Sequence, residues 1–247
     1  MERRDRPVVT LFWEAASFVE GESLVVGDQA AHHAQVRRVR DGDPVRLLDG
    51  AGQIAHGLIA AMARKTLTIS ISRVESIPRP LPLEVVVPVA DRDRMLLAAE
   101  KCAELQVTSW RPVYFARSRS VSTRGEGPKF HEKVRARMRS ALEQSGGAWL
   151  PALQDEAEAG EALRERPMGA TRFLLDMPGE PLATLASSVP TTVAVGPEGG
   201  LEPSELAVAA ENGWTAASLG PTTLRFETAV MSAAAVIRAI QHTRRSS

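Results

Sequence analysis

Val193 to Ala229 reads VAVGPEGGLEPSELAVAAENGWTAASLGPTTLRFETA. Val193, Ala194 and Val195 form a short apolar run that stops at Gly196-Pro197-Glu198-Gly199-Gly200, and a run bounded by turn residues suits a buried strand. Pro203 opens a helical pattern that lasts to Asn212, and Gly213 ends it, the expected placing of Pro near a first turn and Gly after a last one. Ala216 to Leu219 reads as a second strand, broken by Gly220-Pro221, and another helix begins near Thr228. Both loops therefore sit at the carboxyl ends of strands and lead into helices, where α/β sheets bind ligands. Gly199 and Gly200 lack Cβ, so the backbone there can approach a ligand closely and adopt positive φ. Leu224-Arg225-Phe226-Glu227-Thr228-Ala229 then places one guanidinium and one carboxylate just before a helix.

Working outward, Leu83 to Val89 is a buried-strand pattern, Asp91 to Val107 an amphipathic helix, and Trp110 to Phe115 a further strand. Phe130 to Ser145 is helical, Phe173 to Asp176 a strand, and the last helix spans about Thr228 to His242. This β-α-β order implies a mainly parallel sheet flanked by helices. Upstream, Val8 to Trp13, Ser23 to Val26, Val45 to Leu48, Gln53 to Ala61 and Thr66 to Val74 read as short strands, with a helix from Asp28 to Val39. Short strands separated by turns such as Asp41-Gly42 and Asp49-Gly50 predict a small barrel. Pro78, Pro80 and Pro82 stiffen a linker over Glu75 to Pro82. The reading is two domains, 1–76 and 83–247.

The chain has 247 residues, a formal net charge of zero and one cysteine, Cys102. Bulk charge therefore gives no sign of a nucleic-acid partner, although Arg greatly outnumbers Lys and is clustered, as suits phosphate recognition. A single cysteine excludes an internal disulfide framework and a thiolate metal cage, and the five histidines show no metal-ligand spacing. No run is long and apolar enough to span a membrane, and the charged start lacks the apolar core of a signal peptide. The expectation is a soluble cytoplasmic protein without a metal.

GPEGG followed by LGPTTLRFETA resembles the signature of the RsmE-type ribosomal RNA methyltransferases of the SPOUT superfamily, which methylate N3 of a uridine in 16S rRNA. The resemblance extends over nearly the whole chain. It implies an α/β methyltransferase domain tied in a trefoil knot and preceded by a PUA-like β-barrel that holds RNA. It further implies S-adenosyl-L-methionine in the knot loops, a homodimer through the C-terminal domain, and the small ribosomal subunit as partner. Its cofactor residues map to Leu175, Gly196, Pro197, Glu198, Gly199, Gly200, Leu219, Gly220 and Leu224. Arg225 is then the residue that stabilises charge on the uracil oxygens, and Glu227 either orients Arg225 or takes the N3 proton. HHAQVRRVRDGD, at 32–43, is similar to the family's Arg-rich stretch and assigns Arg37, Arg38 and Arg40 to RNA. Arg117 and Arg119, on a polar loop, and Gln144, in the helix end Glu143-Gln144-Ser145-Gly146, join them.

The chain departs from the family pattern at three points: Gln106 and Gly147 stand where Gly and Arg are usual, and Thr222 where Arg is frequent. Two other readings stay open, a related enzyme acting on ribose 2′-hydroxyls and a non-catalytic RNA-binding assembly factor. The small-residue face of the last helix (Ala229, Val230, Ala233, Ala234, Val236, Ile237, Ile240) suits either the core or a dimer interface.

Overall fold

The computed structural model describes residues 9–14, 17–27, 34, 39–120 and 124–243. The chain divides into two compact units, one of residues 1–79 and 139–150, the other of 80–138 and 151–247.

The first unit is a five-stranded sheet of order β1-β3-β4-β5-β2, built from β1 (Val9–Phe12), β2 (Ser23–Val26), β3 (Pro44–Leu48), β4 (Gln53–Met62) and β5 (Leu67–Ser76). Only β1 and β3 run parallel. Alternation along β5 turns Leu67, Ile69 and Ile71 into the core, where they meet Val9, Leu11, Val26, Val45, Leu47 and Ile59. This five-stranded sheet, with β1 and β2 as its edges among the described residues, is the half-barrel form of the small β domain expected from the sequence. At Gly57 the β4–β5 register shifts, and a Cβ there would lie 2.2 Å from the Ser70 carbonyl oxygen, so only glycine lets the strands meet. The expected helix at 28–39 falls mostly outside the described residues.

The sequence reading gave 83–247 whole to the second domain, but residues 139–150 group with the first unit. Their hydrogen bonds explain it. Glu143 Oε1 accepts from Phe12 N at 2.8 Å, Leu150 N donates to Gly50 O at 2.8 Å, and the Trp149 indole N–H reaches Ile77 O at 2.9 Å.

The second unit is a parallel sheet of order β12-β10-β11-β6-β7-β8, with β9 also beside β7. Its strands are β6 (Leu83–Pro88), β7 (Ser109–Tyr114), β8 (Ala152–Leu153), β9 (Ala157–Glu158), β10 (Thr171–Pro181), β11 (Thr191–Val195) and β12 (Thr215–Ser218). The helices are α1 (Arg92–Glu104), α2 (Pro128–Ser145, of this unit only as far as Met138), α3 (Ala159–Ala162), α4 (Leu182–Leu185), α5 (Pro203–Glu211) and α6 (Phe226–Thr243), with a 3-10 turn at Ala116–Ser120. Every strand pairing here is parallel, and all five residues of β11 are buried, the near-continuous apolar character of a sheet covered on both faces. Val86, Val113, Leu174 and Ala194 face a cluster with Leu163, Leu201, Ala209 and Trp214. On the other face α6 packs against β11, β6 and α1.

Two devices hold this unit. Gln106 takes φ 57° just past α1, with Gln106 N bonded to Ala103 O and Val107 N to Cys102 O, the left-handed helix stop that glycine usually occupies. Arg238, 6 % exposed on α6, donates to the carbonyls of Leu81 and Gln106 and to the Gln241 side chain. The face Ala229, Val230, Ala233, Ala234 and Ile237 is buried inside the unit, so the core has taken most of the small-residue surface.

Candidate functional site

The carboxyl ends of β10, β11 and β12 lie side by side, because β10 sits between β12 and β11 in the sheet. The loops after β11 and β12, with Leu175 and Asp176 from within β10, enclose a cavity of about 300 Å³. Leu175, Gly196, Pro197, Glu198, Gly200, Leu219, Gly220 and Leu224 line it, together with Asp176, Leu201, Ala217, Thr222, Phe226 and Ala229. A cavity at strand carboxyl ends, mostly apolar with few polar groups, is the usual form of a small-molecule site.

Gly199 is the exception among the expected lining residues. A Cβ on it would point at the Arg117 side chain, 3.0 Å away, and the residue lines a smaller neighbouring cavity of about 160 Å³. A bulky residue at Gly199 therefore meets Arg117 before it meets anything in the larger cavity.

The loop after β11 is firmly built. Gly200 N bonds Pro197 O at 2.9 Å with Gly200 at φ 73°, a conformation costing an L-residue about 1–2 kcal/mol. Glu202 and Glu205 form a capping box at the start of α5, with Glu202 N donating to Glu205 Oε2 at 2.8 Å. Arg117 donates to Gly199 O at 2.7 Å and Glu202 Oε1 at 2.8 Å, so this guanidinium pins the loop. The Arg119 side chain, like Arg37 and Arg38, lies outside the described residues. Arg40 is exposed in the first unit, where its backbone N–H bonds Asp43 Oδ2 at 2.8 Å, and Gln144 is exposed near the end of α2.

Arg225 is 60 % exposed, with Nη1 3.6 Å from Glu198 Oε1. Glu227 is nearly buried; its Oε1 lies 3.9 Å from Arg94 Nε, and its Oε2 has no hydrogen-bond partner. The carboxylate nearest Arg225 is thus Glu198 rather than Glu227. Arg94, which the sequence reading passed over, hydrogen-bonds Glu198 Oε1. Asp91 caps α1 by accepting from Asp93 N and Arg94 N at 3.1 Å, which sets Arg94 in the first helical turn after β6. That place, after another strand carboxyl end, was the available signal.

The first unit carries a second basic feature. Arg46, His56 and Arg73 stand opposite one another on β3, β4 and β5. Burial, then Arg73, then Arg46 lower the His56 pKa, although Glu75 Oε1 is 3.3 Å from its Nε2, because Arg73 ion-pairs with the same carboxylate. Among the described residues no cluster of three or more His, Cys, Asp or Glu could hold a metal, and no helix is long and apolar enough to cross a membrane.

Residues 78–238 match the family described as RNA methyltransferase domain, and residues 26–72 the RNA methyltransferase PUA domain. The ribosomal RNA small subunit methyltransferase E of Mycobacterium bovis is 32% identical over 222 residues, 84% of this chain and 82% of that protein. Its namesake from Synechocystis is 27% identical, over 90% of this chain and 74% of that one. The crystal structure of the Neisseria gonorrhoeae protein of that name, bound to S-adenosyl methionine, superposes with a TM-score of 0.86 at 26% identity, covering 94% of this chain and 98% of that one. With both units matched and most of its length shared with these relatives, the chain belongs to the RsmE-type RNA methyltransferases of the SPOUT superfamily.

Proposed function

We propose that the chain transfers a methyl group from S-adenosyl-L-methionine to N3 of a uridine in the 16S ribosomal RNA of the small subunit. One observation carries this reading: a cavity walled by the glycine-containing loops after two strands, β11 and β12, in a chain of this family. The residues fit the cofactor. Leu175, Leu219 and Leu224 offer apolar surface to an adenosine, and Gly196, Gly200 and Gly220 leave room along the backbone. Asp176 and Glu198 set carboxylates beside a cationic ligand. Pro197 shapes the turn, and Gly199 acts through the loop it shares with them. Bound there, S-adenosylmethionine supplies a methyl group already activated on a sulfonium. The knotted threading implied by the family resemblance belongs to the same reading.

The protein's part is to position the base, remove one proton and stabilise charge. Loss of the N3 proton spreads negative charge over the flanking O2 and O4. The N3–C bond then forms as the C–S bond breaks, and sulfur keeps the electron pair. Glu227 Oε2, buried and without a partner, takes the N3 proton. Arg225 meets the developing charge on a carbonyl oxygen.

Arg37, Arg38, Arg40, Arg119 and Gln144 hold the RNA, with phosphate contacts supplying salt-dependent affinity. Arg117 joins them with whatever donors the loop leaves it. The enzyme works in the cytoplasm as a two-fold dimer through the second unit, where α6 keeps Ala235 and Ala239 exposed beside the half-buried Met231, Val236 and Ile240. Mass mapping of 16S rRNA nucleosides from a strain lacking the gene tests the activity. One N3-methyluridine should disappear and return with the purified protein; a missing ribose methyl, or no change, refutes the reading. Light scattering at micromolar concentration tests the dimer, and a fully active monomer would refute it.

A further inference from the structure

The smaller cavity borders the larger one, and Pro197, Glu198 and Phe226 line both. Val89, Asp91, Arg94 and Ser118 make up much of the rest of its wall. Arg94 is 34 % exposed there and lies between two carboxylates: Glu198, which it hydrogen-bonds, and Glu227, 3.9 Å away and nearly buried. The oxygen of Glu198 that takes this bond also lies 3.6 Å from Arg225 Nη1. One carboxylate oxygen thus gathers two guanidiniums, one from α1 and one from the loop before α6.

That arrangement exceeds what fixing the loop requires, because Arg117 already pins it at Gly199 O and Glu202. A Glu198–Arg94 pair made only for stability and a third exposed would contribute little. It would also give no account of why the Glu227 carboxylate is buried beside it with an oxygen unpartnered, an arrangement that costs stability when left so.

We propose that the smaller cavity receives the acceptor base and that Arg94 is a catalytic residue, donating to one of the two carbonyl oxygens that flank N3 while Arg225 meets the other. The inference rests on the uridine-N3 reading above. Uracil asks for this chemistry: its N3 anion has two equivalent-sided oxygens, so the charge is best met by two donors. Glu198 Oε1 bonds the Arg94 guanidinium and lies 3.6 Å from that of Arg225, and Glu227, whose Oε1 is 3.9 Å from Arg94 Nε, keeps its other oxygen without a partner to receive the proton. Cytosine lacks an N3 proton and one of the oxygens, so the pair also selects the base.

The test compares Arg94→Ala and Arg94→Lys with the wild-type protein, using a 16S rRNA fragment and saturating cofactor in single turnovers. Arg94→Ala should fold and bind S-adenosylmethionine within about twofold of wild type. It should transfer methyl on the order of 10²-fold more slowly, the scale of one lost donor to a developing oxyanion. Its rate should rise with pH about one unit or more later, since a nearby cation favours the ionised ring. Arg94→Lys should recover part of both. Equilibrium binding supplies a readout apart from turnover: replacing the target uridine by an abasic nucleotide should weaken wild-type binding clearly more than it weakens Arg94→Ala binding. A wild-type rate in Arg94→Ala, or a loss explained wholly by weaker cofactor binding with an unmoved pH profile, overturns the inference while N3 methylation by the wild type stands. A wild type that never methylates N3 overturns both.

Discussion

The two loops that close the larger cavity are built in opposite ways. The loop after β11 is tied at every turn, by Arg117 to Gly199 O and Glu202, by the Glu202–Glu205 capping box, and by Arg94 to Glu198. The loop after β12 has residues 221–225 exposed, and among the described residues its side chains make no hydrogen bond, Arg225 resting only at ion-pair distance from Glu198. One loop is a finished wall. The other has charge and apolar side chains in place but few fastenings, so a ligand has the most to order there. Preorganised donors lose least when the reaction begins, while loosely held ones gain their geometry from binding.

The comparison breaks most sharply at Arg225. Arg225→Ala should lower single-turnover methyl transfer by on the order of 10²-fold at saturating RNA and cofactor, with both affinities little changed. A wild-type rate would remove the loose loop from the chemistry. Next comes Ala229→Phe, which puts a ring into the larger cavity from the start of α6. Cofactor binding by calorimetry should weaken more than tenfold, about 1.4 kcal/mol. Gly199→Val, directed at Arg117, should weaken it less, and equal effects would mean that the walls are wrongly assigned. A third, smaller effect belongs to Arg117→Ala. Freeing the tied loop removes hydrogen bonds with a net value of about 0.5–1.5 kcal/mol each, so cofactor affinity should fall roughly twofold to tenfold. No change would show that the loop keeps its shape unaided. The smallest effect is a control in the frame. Gln106→Gly should relieve the left-handed strain and raise stability by about 0.5–1 kcal/mol in a denaturant titration, leaving cofactor affinity alone. A loss of stability would mean that the Gln106 side chain makes a contact worth more than the strain.

Both loops were legible in the sequence because their signals are local. Gly and Pro mark the ends of Val193–Val195 and Ala216–Leu219 within a few residues, and the structure has strands at 191–195 and 215–218. What the sequence hid is non-local. Arg94 meets Glu198 across 104 residues, and no periodicity carries that pairing. Arg117 sits on a polar stretch that reads as a free surface, yet its guanidinium turns back onto Gly199. The grouping of 139–150 with the first unit was equally hidden, since α2 runs unbroken from Pro128 to Ser145 with no Gly or Pro at the division. Gln106 shows the converse: its residue type hides a strained backbone, to which only the family's usual Gly at that point gives a clue.

Arg238 joins α6 to the Leu81 carbonyl, 157 residues earlier in the chain. Contacts that distant form late, because a long loop must close before they give any return. The same helix supplies Phe226 and Ala229 to the larger cavity and Glu227 beside it. During synthesis the strands of the second unit can therefore gather while the ligand wall is still missing. The wall that α6 gives the cavity, Phe226 and Ala229, is in place only when α6 has docked. A variant without the Arg238 guanidinium would lose the bonds to Leu81 and Gln106 that fasten this wall to the unit.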